Sequence, residues 1–307
     1  MSAPAGIDIP LLRSLPLPSL AGDSDKDARG RMLVVAGGAE VPGAAVLTGV
    51  ASLRVGAGKL QMAATAAYAM PLAFAVPESR VITVAGLPNG DMAASAADEL
   101  APVLRRTDAV VVGPGMMDEL CAGELASRLM AAASGCGFVL DAAAMTGVGS
   151  VSAAARSLGG RLIVTPHAGE MAALTGKSKD AVQADPLGVA RDLAASLQAV
   201  VVMKGSDSFV VSPDGRAWIH RDGVAGLGTS GSGDVLAGVI AGLLARGAAP
   251  TTAAIWGVFL HGRAGARLTE RVGPLGFLAR ELPAEIPRAL AEADAVSRQP
   301  TPRRATD

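Results

Sequence analysis

The stretch Gly226-Leu227-Gly228-Thr229-Ser230-Gly231-Ser232-Gly233-Asp234-Val235-Leu236-Ala237-Gly238 joins a glycine-rich turn to an apolar helix. Glycine adopts positive φ and has no Cβ, so a ligand can approach the backbone amides of such a turn closely. The first amides of the following helix have no partner inside it, and the helix dipole favours negative charge at this end. The stretch therefore predicts an anion-binding site of the kind that holds phosphate groups.

Asp234 stands at the junction between this turn and the helix. A carboxylate beside a bound anion repels it, unless the carboxylate acts as a base or faces a magnesium ion. A second interpretation is that Asp234 only caps the N-terminus of a buried helix. The whole run of glycines and hydroxyl residues favours phosphate chemistry over capping alone.

The helix that follows is predicted from the spacing of its residues. One side carries an apolar stripe made of Val235, Leu236, Val239, Ile240, Leu243 and Leu244. The other side is small, with Ala237, Gly238, Ala241 and Gly242, so that another element can pack closely against it. Gly247 and Pro250 follow as stop signals. We expect a buried helix that fixes the preceding turn.

The composition limits the class of protein. The chain has 307 residues, 50% of them hydrophobic, and a formal net charge of −1 with 3% aromatic residues. A near-neutral chain with few aromatics argues against nucleic acid as a partner. The two cysteines are interpreted as small core residues of a protein in a reducing compartment. No signal peptide and no membrane-spanning run is recognised in the sequence. We therefore expect a cytoplasmic globular protein that binds no membrane.

Apolar strands alternate with helices along the chain, which predicts an α/β fold with a mainly parallel sheet covered on both faces. Residues 1–29 are interpreted as an extended N-terminal lead-in, 30–296 as one domain and 297–307 as a polar tail. The predicted strands are 32–36, 59–63, 81–85, 109–112, 138–140, 161–164 and 199–203, followed by a hairpin of 209–212 and 217–220. The main predicted helices are 44–55, 118–133, 186–197, one beginning at Asp234, 251–268 and 283–293.

Unusual residues come directly after several of these strands. They are Gly37-Gly38, Gly113-Pro114-Gly115, Asp141, Thr165 with His167, and Lys204. In open α/β sheets the ligand crevice lies outside the carboxyl ends of the strands. We therefore expect these residues to converge on one edge of the sheet, where the helix of Asp234 also points its N-terminus.

Together these motifs resemble those of the ADP/ATP-dependent NAD(P)H-hydrate dehydratases of the ribokinase-like superfamily. The matching segments are Val41-Pro42-Gly43-Ala44-Ala45, Gly56-Ala57-Gly58-Lys59, Gly113-Pro114-Gly115, Leu140-Asp141-Ala142, Thr165-Pro166-His167-Ala168-Gly169-Glu170, Lys204-Gly205 and Gly231-Ser232-Gly233-Asp234-Val235-Leu236-Ala237-Gly238. They follow the family's order over roughly residues 30 to 270. The resemblance implies a single-domain, three-layer α/β/α sandwich.

The resemblance also implies a reaction. Such enzymes dehydrate (6S)-hydrated NADH or NADPH, and bacterial-type members use ADP, giving AMP and phosphate, whereas ATP serves others. A phosphoryl group transferred to the C6 hydroxyl makes a good leaving group, and Asp234 would be the general base. Mg²⁺ would neutralise the nucleotide phosphates, through ligands that the sequence leaves unknown.

Site residues carried over from the family fall into three groups. Nucleotide contacts are expected from Lys204, Gly205, Ser206, Asp207, Ser208 and Gly233. Contacts to the hydrated nicotinamide are expected from Ala45, Gly115, His167 and Asp234, and the anion hole from Gly231, Ser232 and Gly233. Asp141 is placed near substrate or magnesium.

Plainer interpretations stay open for single residues. His167 could bond its own backbone, Asp141 could cap a turn, and Lys204 could be a solvated lysine at a strand end. His220 and His261 are interpreted as structural. Ser230 and Ser232 replace the family's glycine and threonine and keep one hydroxyl, and the lead-in lacks the usual His-Lys-Gly start.

Two other functions are compatible with these motifs. One is a small-molecule kinase of the same superfamily, of the hydroxyethylthiazole or pyridoxine type, which would end with a stable phosphate ester. The other is a nucleotide-binding sensor without turnover. The sequence leaves open the choice of ADP or ATP and of NADH or NADPH hydrate. A homo-oligomer, dimer or tetramer, and a separate epimerase are expected as partners.

Overall fold

The structure is a computed structural model that describes residues 3–18, 26–146, 148–221 and 223–297. The strands within these ranges are β1 (Ala5–Gly6), β2 (Arg31–Val35), β3 (Lys59–Thr65), β4 (Ser79–Val84), β5 (Ala109–Val112), β6 (Gly137–Leu140), β7 (Leu162–Val164), β8 (Val200–Met203), β9 (Ser208–Val211) and β10 (Ala217–His220). The α-helices are α1 (Ile9–Ser14), α2 (Gly43–Arg54), α3 (Ala69–Ala75), α4 (Ala96–Leu104), α5 (Glu119–Ala132), α6 (Ala143–Thr146), α7 (Val148–Ser157), α8 (Ala168–Thr175), α9 (Lys179–Ala184), α10 (Pro186–Leu197), α11 (Ser232–Ala245), α12 (Pro250–Arg271) and α13 (Leu282–Ser297).

Over the described residues the strands form one sheet in the order β1-β10-β9-β8-β7-β6-β5-β2-β3-β4. Neighbouring strands are parallel except at β9, which runs antiparallel to both β8 and β10. The central strands β2, β5 and β6 are almost wholly buried, as expected of a sheet covered on both faces. The mainly parallel sheet predicted from the sequence is confirmed.

The helices fall into two packed sets, one on each face of the sheet. On one face α11 packs against α2, α12 and α13, and reaches β5 and β6. On the other face α4 packs on α5, α5 on α7, and α7 on α10, which reaches β8. The result is the three-layer α/β/α sandwich of the ribokinase-like fold.

Two of the predicted helices begin at aspartate caps. Asp185 accepts a hydrogen bond from the Gly188 amide at 2.9 Å, with Pro186 as the first helical residue of α10. At the start of α5, Asp118 accepts a hydrogen bond from the Cys121 amide, also at 2.9 Å. The predicted bounds of both helices agree with the structure to within one residue. None of the helices in the described ranges combines the length and apolar character that crossing a membrane takes.

The N-terminal segment differs from the extended lead-in that the sequence predicts. β1 pairs in parallel with β10 at the edge of the sheet, and Asp8 caps the short helix α1. Leu12 of α1 is fully buried, and the Trp256 indole donates a hydrogen bond to the Leu15 carbonyl at 2.7 Å. The sequence of this segment has no long periodic pattern from which its structure could be predicted. Contacts with distant elements stabilise the segment instead. The domain limits at residues 30 and 296 stay a prediction, and residues 298–307 of the expected tail lie outside the described residues.

Candidate active site

The glycine-rich turn enters α11 through Gly231, which has a φ of 88°. A Cβ at this position would lie 2.6 Å from Leu47 Cδ1, so glycine meets both the backbone and the space requirement. Gly231 is the N-cap, and no side chain caps the helix. Asp234 is the third residue of α11, so the interpretation of Asp234 as an N-cap is wrong.

Helix α2 holds α11 in place along its small face. Thr48 Oγ1 donates to the Asp234 carbonyl oxygen at 3.2 Å. A Cβ at Gly238 would overlap the Thr48 carbonyl, and one at Gly242 would lie 2.5 Å from Val55 Cγ1. The small residues predicted to allow close packing therefore do so, and this packing fixes the direction in which α11 points its first amides.

The Asp234 carboxylate is partly buried at the start of α11. Among the described residues no hydrogen-bond donor contacts it. Burial raises the Asp234 pKa to about 7; the negative charge of Asp141 adds to the rise, whereas the Lys204 ammonium opposes it. A carboxyl group that titrates near neutral pH is suited to act as a general base.

Asp141 follows β6 and is almost fully buried. Its Oδ1 accepts hydrogen bonds from Thr165 Oγ1 at 2.7 Å and from Lys204 Nζ at 2.8 Å. Lys204 Nζ also lies 3.5 Å from Glu170 Oε2. The Asp141 side chain thus pairs with Lys204 and Thr165 across three strand ends, so the interpretation of Asp141 as a turn cap is not what the structure shows.

Lys204 is charged in this setting. Burial acts to lower the Lys204 pKa, but the charges of Asp141 and Glu170 outweigh burial and raise it. A Cβ at Gly233 would lie 3.3 Å from Lys204 Nζ, so the ammonium group stands directly against the second residue of α11. The positive charge therefore lies beside the amides predicted to bind an anion, and the interpretation of Lys204 as a solvated lysine is wrong.

His167 forms a capping box at the start of α8. Its Nδ1 accepts hydrogen bonds from the amides of Gly169 at 3.0 Å and Glu170 at 3.1 Å, and Glu170 Oε2 accepts from the His167 amide at 2.8 Å. The plain interpretation, a histidine bonding its own backbone, is therefore confirmed. The His167 side chain is also 58% exposed, with Nε2 3.6 Å from Glu170 Oε1, so a ligand can reach the ring.

A cavity of about 670 Å³ opens beside the start of α11. Of the residues predicted to bind the nucleotide, it is lined by Lys204, Gly205, Ser206, Ser208 and Gly233. The rest of the lining comes from the β7 and β10 ends, the segment before α11, α11 itself and α12, namely His167, His220, Gly223, Val224, Ala225, Leu227, Gly228, Thr229, Ser232, Leu236, Val258, His261 and Gly262. The structure therefore brings most of the predicted nucleotide contacts to one cavity.

Five predicted site residues are not among those that line this cavity, namely Asp234, Gly231, Asp207, Gly115 and Ala45. Asp207 is exposed and does not line it. Gly115, with a φ of 70°, packs against the first turn of α2, where a Cβ would lie 2.5 Å from Ala44 Cβ. Ala45 is fully buried in α2 and presents no surface to a ligand. The contacts predicted for Asp207, Gly115 and Ala45 stay predictions.

Two histidines that the sequence analysis interprets as structural lie in the cavity wall. His261 of α12 has Nε2 3.0 Å from Ser232 Oγ, and both residues are buried. The His220 ring meets the Phe259 ring edge-on, with 6.3 Å between centroids. No local pattern could have revealed the His261 contact, because tertiary packing brings α12 to Ser232.

The protein side chains make no metal cage. Within the described ranges no cluster of three or more His, Cys, Asp or Glu residues could hold an ion. Mg²⁺ commonly binds through one or two carboxylates together with substrate phosphates, so such a cage is not needed. Asp141 and Glu170 are the carboxylates next to Lys204, beside the turn of Gly231 to Gly233 (the anion turn). Two carboxylates suit a Mg²⁺ ion that binds together with the phosphates of a nucleotide.

A covered, mainly parallel sheet, a glycine turn at a helix N-terminus, an aspartate with a raised pKa and a charged lysine beside the turn define a ribokinase-like protein that uses a nucleotide. The chain belongs to the NAD(P)H-hydrate dehydratase family, whose model matches residues 32–288.

Individual relatives agree with this assignment. The chain is 48% identical to the ADP-dependent (S)-NAD(P)H-hydrate dehydratase of Xanthomonas campestris, over 91% of this chain and 93% of that protein. It is 33% identical to the bifunctional NAD(P)H-hydrate repair enzyme of Moorella thermoacetica, over 87% of this chain and 50% of that protein. The crystal structure of the Bacillus subtilis ADP/ATP-dependent NAD(P)H-hydrate dehydratase, co-crystallised with ATP and Mg²⁺, superposes with a TM-score of 0.79 at 26% identity, covering 94% of this chain and 98% of that chain.

Proposed function

We propose that this protein catalyses the ADP-dependent dehydration of (6S)-hydrated NADH or NADPH. The products are NADH or NADPH, AMP and phosphate. The observation that carries the proposal is the Asp234 carboxylate, which has a pKa of about 7 and stands at the start of α11 beside Lys204. The 48% identity to a relative named for this reaction supports the choice of substrates.

In the first step the Asp234 carboxylate takes the proton of the substrate's C6 hydroxyl group. The hydroxyl oxygen forms a bond to the terminal phosphorus of ADP, and the bond between that phosphorus and the bridging oxygen breaks. AMP leaves with the electron pair of that bond. The base needs to be deprotonated at neutral pH and yet basic enough to accept a proton, which a pKa of about 7 provides.

Phosphoryl transfer depends mainly on positioning and charge stabilisation. We assign the anion hole to the turn of Gly231, Ser232 and Gly233, with the amide of Asp234. Lys204 adds a positive charge next to this turn, held by Asp141 on its other side. Groups fixed in place before the reaction stabilise developing charge without reorganising.

In the second step phosphate leaves C6 with the electron pair of the C–O bond. The neighbouring ring carbon loses a proton to solvent, and the electron pair of that C–H bond forms the ring double bond. Hydroxide is a poor leaving group, whereas phosphate leaves readily from its ester, and this is the reason to consume ADP. Magnesium would neutralise charge on the nucleotide phosphates, with Asp141 and Glu170 as the nearest carboxylates.

Other expectations belong to the same proposal. Lys204, Gly205, Ser206, Ser208 and Gly233 would contact the nucleotide, whereas Gly115 and His167 would contact the hydrated ring. A separate epimerase would supply the S epimer from the R epimer. The homo-oligomer and the cytoplasmic location expected from the sequence stay predictions.

The test is an absorbance assay at the NADH band, with acid-hydrated NADH, Mg²⁺ and either ADP or ATP. We expect absorbance to recover with ADP, matched by equal amounts of AMP and phosphate. Recovery with ATP alone would change the phosphoryl donor. No recovery with either nucleotide, with the S epimer confirmed present, contradicts the proposal and favours a kinase or a nucleotide sensor.

A further inference from the structure

The first residue of α11 is joined to a histidine from another helix. Ser232 Oγ lies 3.0 Å from Nε2 of His261, which belongs to α12. Ser232 and His261 are only 4% and 9% exposed, yet both line the cavity assigned above to the nucleotide. The pair therefore lies between the protein core and the place where phosphate groups would bind.

His261 is neutral at physiological pH. Burial lowers its pKa to about 4, and a hydrogen bond to the Ser232 backbone only partly opposes this. A neutral imidazole has one N–H donor and one nitrogen acceptor, so the bond at Nε2 has two possible directions. In one direction the imidazole donates to Ser232 Oγ, and in the other the serine hydroxyl donates to the imidazole.

The two directions differ in what Ser232 offers a ligand. If the hydroxyl proton points at the imidazole, the oxygen presents lone pairs to the cavity, which repel an anion. If Nε2–H donates to Oγ, the serine keeps its own proton for a phosphate oxygen. An anion bound at this turn therefore selects the second arrangement, in which Ser232 accepts from His261 and donates to the ligand.

We infer that His261 is a positioning residue that orients the Ser232 hydroxyl as a hydrogen-bond donor to the phosphate groups of the nucleotide. This role rests on the proposed function, and it adds a donor to the amides of the anion hole. It acts on nucleotide affinity, since neither residue contacts the Asp234 carboxylate that carries out the proton transfer. His261→Gln retains an amide N–H near the Nε2 position, whereas His261→Met removes the donor and keeps an apolar side chain.

The experiment is a double-mutant cycle read by calorimetric titration of ADP with Mg²⁺. We expect His261→Met and Ser232→Ala each to weaken ADP binding by about tenfold, the size of one hydrogen bond to a charged group. The double variant should be no weaker than either single variant, because both remove the same donor. His261→Gln should bind within about twofold of the natural protein.

A matched control is Ser52→Ala, which removes a fully buried hydroxyl bonded to the Gly49 carbonyl of α2. This variant should leave ADP affinity unchanged, with thermal melting used to confirm that each variant is folded. If the two single effects add in the double variant, or if His261→Gln binds as weakly as His261→Met, the positioning role is wrong.

The same titration separates this inference from the function itself. Natural protein that binds ADP without converting hydrated NADH overturns the dehydratase proposal, whereas the cycle still reports on His261. Natural protein that binds no ADP overturns both. If His261→Met does not fold, His261→Asn, whose shorter amide cannot reach Ser232 Oγ, takes its place: a loss of ADP affinity that Ser232→Ala does not increase supports the role, and no loss, or a loss that adds to that of Ser232→Ala, contradicts it.

Discussion

Asp141 and Asp234 stand at the same edge of the sheet but in opposite electrostatic settings. Asp141 is buried after β6, and its carboxylate is balanced by Lys204 at 2.8 Å and Thr165 at 2.7 Å. The Asp234 carboxylate, at the start of α11, accepts no hydrogen bond from any described residue, and burial with the Asp141 charge raises its pKa to about 7. One carboxylate is committed to structure, and the other is left available to take a proton.

This difference shows how one site obtains two roles from one residue type. The balanced carboxylate holds a cation next to the anion turn, where the cation can face a phosphate. The unbalanced carboxylate becomes a stronger base because its charged form is disfavoured. Pairs of acidic groups with separated environments are a frequent sign of acid–base chemistry.

The largest expected effect comes from removing the base. Asp234→Asn keeps the shape of the side chain but cannot accept the proton, so turnover should fall by roughly 10² to 10⁴. ADP affinity should change by less than about threefold. The NADH absorbance assay and calorimetry measure the two quantities, and Asp192→Asn on the exposed side of α10 is a matched control. Turnover that survives Asp234→Asn would remove Asp234 from the mechanism.

Removing the balanced carboxylate should first affect stability. Asp141→Asn leaves Lys204 with only Glu170 at 3.5 Å, so the free energy of unfolding should drop by about 2 kcal/mol. The variant should also lower the Asp234 pKa, because it removes a negative charge that raises it. The acidic limb of the rate–pH profile should therefore move to lower pH. A limb that stays in place would mean that the two aspartates are not coupled.

A further effect is expected on the pH dependence of stability. The folded-state pKa of Asp234, about 7, lies above its unfolded value near 4, so the folded state binds more protons in between. The stability gained in this way is fully present below about pH 4 and is lost as pH rises through 7. Asp234→Asn should therefore stabilise the protein at pH 8 by up to about 4 kcal/mol, the equivalent of about three pKa units, and by almost nothing at pH 4. Thermal unfolding at both pH values measures this, and equal effects would contradict the raised pKa.

The smallest effect is expected at Asp207, outside the cavity. Asp207→Ala removes a carboxylate that does not line the cavity, and ADP affinity should change by less than about twofold. Lys204→Ala, measured beside it, should weaken ADP binding by more than tenfold because it removes the cation at the turn. A large loss with Asp207→Ala would show that the loop after β8 closes over the nucleotide.

The sequence predicted much of the fold because parallel sheets have strong local signals. The β-branched run of β5 was predicted with the bounds that the structure has, and the predicted limits of α5 and α10 lie within one residue. The glycine turn that enters α11 was also predictable, whereas anion binding there stays a prediction. The segment of β1 and α1 was not predictable, because its two short elements are stabilised by contacts with β10, α12 and α13.

The sequence by itself determined the elements, the glycine turn and the place of Asp234 at the start of a buried helix. Spacing and residue type act within one element, where neighbours along the chain are also neighbours in space. Only the tertiary structure decided that Asp141 would hold Lys204, 63 residues away, and that His261 would reach Ser232, 29 residues away. The pairing of Asp141 with Lys204 sets which carboxylate is neutralised and which remains a base. They depend on how whole helices and strands pack, and local residue patterns do not specify that packing.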